Sequence, residues 1–198
     1  KIFADFKNAL NSKVYGIGLG YNSNYEYADG KVNINETSEL TEAFYIPISH
    51  NIDNQLKLDY VVSKLKPVFE SMTVKKVSHD IKIEDCILKS LGIDLNGVVF
   101  DTMLASYIKD SNANTDFDIQ CMEQIDHILP TIVSNTKKTS IADNNISVMK
   151  DYAGDVISSL FELTKCWSEK LDEKEYNIMT DIEIPLAHVL AGMEITGV

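Results

Sequence analysis

Basic residues are scarce in this sequence, and that scarcity excludes a good deal. Its 198 residues carry 18 Lys and Arg against 30 Asp and Glu, for a formal net charge of −12. Nucleic-acid binding normally starts with cations that neutralise phosphates, so a chain of this charge repels polyanions on average. No basic run stands out, and autonomous DNA binding is expected to be weak or absent. Cysteine is also sparse. Cys86, Cys121 and Cys166 are far apart, odd in number and without CxxC or Cys/His ligand spacing, so they read as reduced core residues. Long apolar runs are missing, which excludes a membrane-spanning helix, and the N-terminus has no signal-peptide pattern. A cytoplasmic monomer with no membrane partner is expected. Repeats and low-complexity tracts are absent too. The chain opens inside an apparent strand and stops just after an amphipathic helix, so both ends read as cut points.

What is present suits one domain with a sizeable core: 44% of the residues are hydrophobic and 24% charged. Residues 2–6 (IFADF), 13–21 (KVYGIGLGY) and 43–48 (AFYIPI) read as strands, with a hairpin-type turn at Asp29-Gly30 in the polar stretch between the last two. Residues 54–72 carry Leu58, Val61, Val62, Leu65, Val68 and Phe69 at helical spacing, and Pro67 threatens to kink or break that helix. A strand at 76–78, a helix over 82–91 ending at Gly92, and a strand at 98–100 follow. Asp101-Thr102 can cap the next helix. The second half reads as helical: 116–128, a polar loop over 130–145, then 146–171 and 173–194 with Pro185 inside. A meander that feeds βαβ units, followed by helices, predicts an α/β fold with a mixed sheet.

Several patterns have plain structural readings. Gly16, Gly18 and Gly20 alternate in a strand with no helix directly after them, so they mark close packing rather than a dinucleotide loop. His50, His79, His127 and His188 are scattered without paired ligand spacing. No Ser/His/Asp or Cys/His arrangement emerges, and the acidic residues between 162 and 183 read as a solvated helix face.

One segment is more specific. Residues 76–107 read KVSHDIKIEDCILKSLGIDLNGVVFDTMLASY. This resembles the second exonuclease motif of bacterial family A DNA polymerases (DNA polymerase I), where a pattern close to G-H-N-x-K-Y-D precedes a helix leading to G-I-x-L-x-G-x-x-F-D-T-M-L-A-S-Y. Residues 44–50 (FYIPISH) resemble the family's Y-Y-I-P-x-x-H. Residues 183–198 (EIPLAHVLAGMEITGV) resemble the helix that joins the exonuclease domain to the polymerase domain. The order of segments is also the family's. The resemblance implies a ribonuclease H-like fold, with a 3′–5′ exonuclease-like domain over residues 1–180 and the start of the connecting helix over 181–198. It implies the polymerase domain of the same chain as partner, and contact with DNA through the parent enzyme.

In active relatives the resemblance further implies hydrolysis by two divalent ions, such as Mg²⁺, about 3.5–4 Å apart and held by carboxylates. The ligands would be an Asp-x-Glu on the first strand, an Asp in the second motif, and an Asp in a late Tyr-x-x-x-Asp helix. Carried onto this sequence, the set is degenerate. With Asp5 in the first position, Lys7 takes the second, and strand alternation points both the same way; the other register offers Ala4 and Phe6. In the second motif Asp80 replaces the asparagine, Ile83 the tyrosine and Glu84 the aspartate, with Asp85 on a different helix face. The third motif keeps Tyr152 but ends on Val156, which shares an apolar stripe with Tyr152, Leu160 and Leu163. Asp155 leaves the helix about 100° away from Val156. The remnants are therefore Asp5, Glu84, Tyr152 and Val156, with Asp5, Glu84 and Asp155 the weak metal candidates. The expectation is a vestigial domain with no cofactor of its own. The alternative is a weakly active exonuclease rebuilt on those three acids.

Overall fold

The computed structural model describes residues 1–5, 12–28, 30–34, 42–134 and 139–197. Its strands are β1 (Ile2–Asp5), β2 (Lys13–Tyr21), β3 (Tyr25–Ala28), β4 (Lys31–Ile34), β5 (Glu42–Pro47), β6 (Lys76–Ser78) and β7 (Val98–Asp101). Its helices are α1 (Leu58–Phe69), α2 (Ile81–Ser90), α3 (Thr102–Lys109), α4 (Phe117–Ile125), α5 (Ile146–Lys170), α6 (Glu173–Ile178) and α7 (Ile184–Thr196). This is the expected α/β architecture, with antiparallel strands first and parallel strands later. Among the described residues the hydrogen-bonded ladders form three pieces: an antiparallel β1-β2-β5 sheet, a β3-β4 hairpin and a parallel β6-β7 pair. No described helix is long and apolar enough to cross a membrane.

Strand β2 carries the closest packing. An added Cβ at Gly16 would stand 2.3 Å from the Tyr45 hydroxyl, and one at Gly18 would stand 3.1 Å from the Phe3 ring and 3.4 Å from Ile157. The alternating glycines thus let β5 side chains and helix α5 approach the sheet. Helix α5 spans 25 residues and buries Met149, Ala153, Val156, Leu160, Leu163 and Trp167. That spacing gives one apolar stripe that lies against β2 and β5.

Two features add to or depart from the sequence reading, the first supplying strands on either side of the expected hairpin turn. The polar stretch after β2 is itself a hairpin, β3-β4, with Gly30 at φ 78° in its turn; Asp29 lies outside the described residues. This hairpin docks through tyrosines, since the Val32 N–H donates to the Tyr176 hydroxyl at 2.9 Å and the Tyr25 hydroxyl donates to the Phe161 carbonyl. The single C-terminal helix expected over 173–194 is divided: α6 runs into a π turn over Met179–Glu183, and α7 follows with Pro185 in its first turn. Proline has no N–H to give, so a wider turn ahead of it is a natural place for an extra residue. Pro67 stays within α1, which ends two residues later.

Candidate functional site

The second motif folds around one buried aspartate. Asp101, at the end of β7, caps α3 by accepting from the Met103 and Leu104 N–H groups at 2.9 and 3.0 Å. Its other oxygen accepts from the Ile81 N–H at 2.7 Å, which ties the start of α2 to the start of α3. Burial pushes the Asp101 carboxyl up to about 6, against the pull of the backbone donors. Beside it, His79 Nδ1 lies 2.9 Å from the Thr102 hydroxyl and its ring stands edge-on to Phe117. Burial drives His79 down to about 3, so this is a neutral core histidine.

Asp80 has left-handed backbone, φ 62° and ψ 63°, while its side chain accepts from the Ile83 N–H at 3.3 Å. Asn and Asp tolerate that conformation better than other non-glycine residues. Asp80 therefore supplies both the left-handed turn and the cap of α2.

Glu84 lies in the first turn of α2 with its carboxylate buried and occupied. Oε1 accepts from the Ile2 N–H at 3.2 Å, and Oε2 accepts from the Ser78 hydroxyl at 2.8 Å. The Lys1 ammonium stands 3.4 Å from Oε1 and donates to the His79 carbonyl at 2.8 Å. Burial alone would raise the Glu84 pKa, but the Lys1 side chain, the chain's N-terminal ammonium, Ser78 and the Ile2 N–H together hold it at about 2. Asp85, one residue on, is fully buried; it pairs with Lys89 of the same helix and with His188 Nδ1 of α7, the latter at 2.7 Å.

From the third motif, Val156 is buried in a cluster with Phe3, Met149 and Ala153, and Tyr152 is packed against it. The Tyr152 and Phe3 rings meet edge-on at 6.0 Å. Asp155 leaves on another face of α5 and accepts from His127 Nε2, 2.9 Å away. The residues that reach Glu84 and Val156 are thus Lys1, just ahead of β1, and Phe3 within it, which share a face by alternation. Asp5 lies at the far end of β1, opposite Lys13 and roughly 10 Å from Ile2 at about 3.3 Å per residue. The structure therefore brings Glu84, Tyr152 and Val156 to the start of β1 rather than to Asp5. Phe6 and Lys7, the residues that distinguish the two expected registers, lie outside the described residues. Sequence reasoning missed Lys1 and Phe3 because no Asp-x-Glu fixes the strand's alignment; pairing of Phe3 with Gly16 fixes it instead. Among the described residues no group of three or more His, Cys, Asp or Glu side chains is placed to hold a metal ion.

Comparison with known proteins shows the family and the fold. A family model described as the ribonuclease H-like domain of DNA polymerase I matches residues 21–130, a stretch that contains the second motif but neither β1 nor Tyr152. DNA polymerase I of Pseudomonas aeruginosa is 31% identical over 168 residues, covering 79% of this chain and 18% of its own. DNA polymerase I of Chloroflexus aurantiacus is 26% identical over 160 residues, covering 78% and 17%. The chain thus spans less than a fifth of the length of these curated relatives. A solved structure of the POL domain of Pol1 from M. smegmatis, in complex with DNA primer-template and dNTP, aligns with the whole chain and 28% of its own at a TM-score of 0.66 and 15% identity, a likeness of fold. With more than half of its length matched, the chain belongs to the family of ribonuclease H-like, 3′–5′ exonuclease-like domains of DNA polymerase I.

Proposed function

We propose that this chain is a catalytically silent 3′–5′ exonuclease-like module of a DNA polymerase I that works in replication and repair, and that its task is to support the polymerase domain of the same chain. The reading is carried by one observation: the groups gathered around Glu84 at the start of β1 are an ammonium, a hydroxyl and an N–H. A pair of divalent ions needs several converging carboxylates, and one acid already paired with Lys1 does not fit that need. Among the described residues, the apolar Phe3–Val156 cluster beside it contains no carboxylate. A nuclease rebuilt on Asp5, Glu84 and Asp155 needs those acids to converge, whereas Asp155 is engaged by His127 on another face of α5.

Support for the platform role comes from α6 and α7. Ala187 and Ala191 are buried and Cys86 of α2 contacts the Ala191 carbonyl, while Ile178, Ile182, Leu186, Val189 and Met193 form an exposed apolar seam. A helix that is apolar on both sides is suited to burial between two bodies. The module binds DNA weakly or not at all on its own and is monomeric.

Incubation of the purified chain with 3′-labelled single-stranded DNA and Mg²⁺ or Mn²⁺ tests the reading. The expected outcome is no release of nucleotides above an EDTA control. Metal-dependent release that Glu84→Ala abolishes would overturn it.

A further inference from the structure

The segment Phe44–His50 is folded so that Tyr45 of β5 and His50 face each other. The Tyr45 hydroxyl and His50 Nε2 are 2.6 Å apart, and the two rings meet edge-on at 5.9 Å. Gln55 pins the histidine's backbone twice: its Oε1 accepts from the His50 N–H at 2.9 Å, and its Nε2 donates to the His50 carbonyl at 2.7 Å. His50 is only 4% exposed. On the other edge of the ring, Nδ1 is buried without a hydrogen bond of ordinary geometry among the described residues, and the Ala142 carbonyl is the acceptor beside it. Ala142 belongs to a 3-10 turn, Ile141–Asp143, that leads through Asn145, the cap of α5, into that helix. Polar contacts around His50 seat this turn. Ser140 Oγ donates to the Tyr15 hydroxyl of β2 at 3.0 Å, and Asn51 Nδ2 donates to Asp143 Oδ1 at 3.2 Å.

These contacts select one state of the ring. With its proton on Nδ1, towards the Ala142 carbonyl, Nε2 is left to accept from the Tyr45 O–H. Burial pushes the Tyr45 phenol up, so it keeps that proton to give. A second proton on the ring would make Nε2 a donor as well. The Tyr45 hydroxyl, whose one hydrogen bond among the described residues is to His50, would then have to turn and leave its own O–H without an acceptor. The charged neighbours do not help. Lys13 stands over the Tyr15 ring, which lies 6.5 Å from the His50 ring, and Asp143 is already taken up by Asn51 and the Ser140 N–H. Burial lowers the His50 pKa, Lys13 adds to that, and the Ala142 carbonyl opposes it.

We propose that Tyr45 and His50 form a proton-sensitive latch, which holds the Ile141–Asp143 turn against β2 and β5 while His50 is neutral and releases it when His50 takes a proton. A histidine whose folded pKa is depressed contributes stability above its unfolded value, about 6.5, and loses that contribution as pH falls below it. Opening of the turn should therefore become easier by up to about tenfold for each pH unit below about 6.5. The latch shares no group with Glu84 and stands apart from the exonuclease reading.

Hydrogen exchange at the Ala142, Asp143 and Asn144 amides of the 198-residue chain, followed by NMR and corrected for intrinsic rates, tests it. Protection is expected to fall roughly 10-fold between pH 7.5 and pH 5. In His50→Gln, which cannot take the proton, it should change by less than about twofold over the same range. Protection that does not move with pH in the unmodified chain, or that falls as steeply in His50→Gln, overturns the proposal. A second readout needs no variant. Long-range proton–nitrogen correlation at pH 7.5 is expected to show a neutral His50 ring with its proton on Nδ1, and a ring that carries its proton on Nε2, or is charged at that pH, overturns it too.

Discussion

Replacing Glu84 with Gln keeps the side chain's shape and removes its charge, which isolates the interaction that occupies the old site. The Glu84 carboxyl is held at about 2 against an ordinary value of 4.5. At about 1.4 kcal/mol for each tenfold change in proton affinity, that depression contributes about 3 kcal/mol to folding at neutral pH. Lys1 keeps 22% of its side chain in solvent, which screens the attraction, so roughly 2–3 kcal/mol is the expected loss in Glu84→Gln at pH 7. A carboxyl whose folded pKa is depressed contributes fully above its unfolded value and loses that contribution as pH falls through its folded value. The deficit of the variant should therefore be complete above about pH 5, shrink to about half by pH 3, and continue to close towards about pH 2. Urea denaturation of both proteins at pH 7 and pH 3, followed by the fluorescence of Trp167, measures it. Equal deficits at the two pH values would refute the argument, since they would trace the loss to hydrogen bonds rather than to charge.

Two further perturbations probe the scaffold around the site. Asp101→Ala removes the acceptor of three backbone N–H groups, including that of Ile81, and should cost about 3 kcal/mol and lower the melting temperature by roughly 6–12 °C by calorimetry; a drop under about 2 °C would discount its linking role. Gly16→Ala forces the Tyr45 ring aside and breaks its 2.6 Å hydrogen bond to His50 Nε2, at a cost of about 1–3 kcal/mol; in a Tyr45→Ala background the penalty should nearly vanish, and a double-mutant cycle showing no coupling would argue against the contact.

Much of this fold was legible in the sequence where one physical signal dominated. The stripe through Tyr152, Val156, Leu160 and Leu163 announced α5, and Gly92, at φ 74°, closed α2 as expected. Asp101 capped the helix its position suggested. The turn of the β3-β4 hairpin was legible at Gly30, but its strands were not, because they are short and partly polar and gain their stability from Tyr25 and Tyr176, more than a hundred residues apart from their partners. In the site, Glu84 and Val156 could be found by motif, and the departure of Asp155 by helix geometry. Lys1 and Phe3 could not, because strand register is a tertiary property: it was set by how Phe3 pairs with Gly16 and fits against α5.

The π turn at Met179–Glu183 has a consequence for everything after it. An inserted residue advances the angular phase of a helix by about 100°, so it decides which azimuth of α7 meets its neighbour. His188 beside Asp85, Ala191 over Cys86 and Glu194 within 2.5 Å of Lys82 all lie on the azimuth that this advance selects. The widened turn thus acts as a gear tooth, indexing the C-terminal rod against α2 from a distance of one to three helical turns.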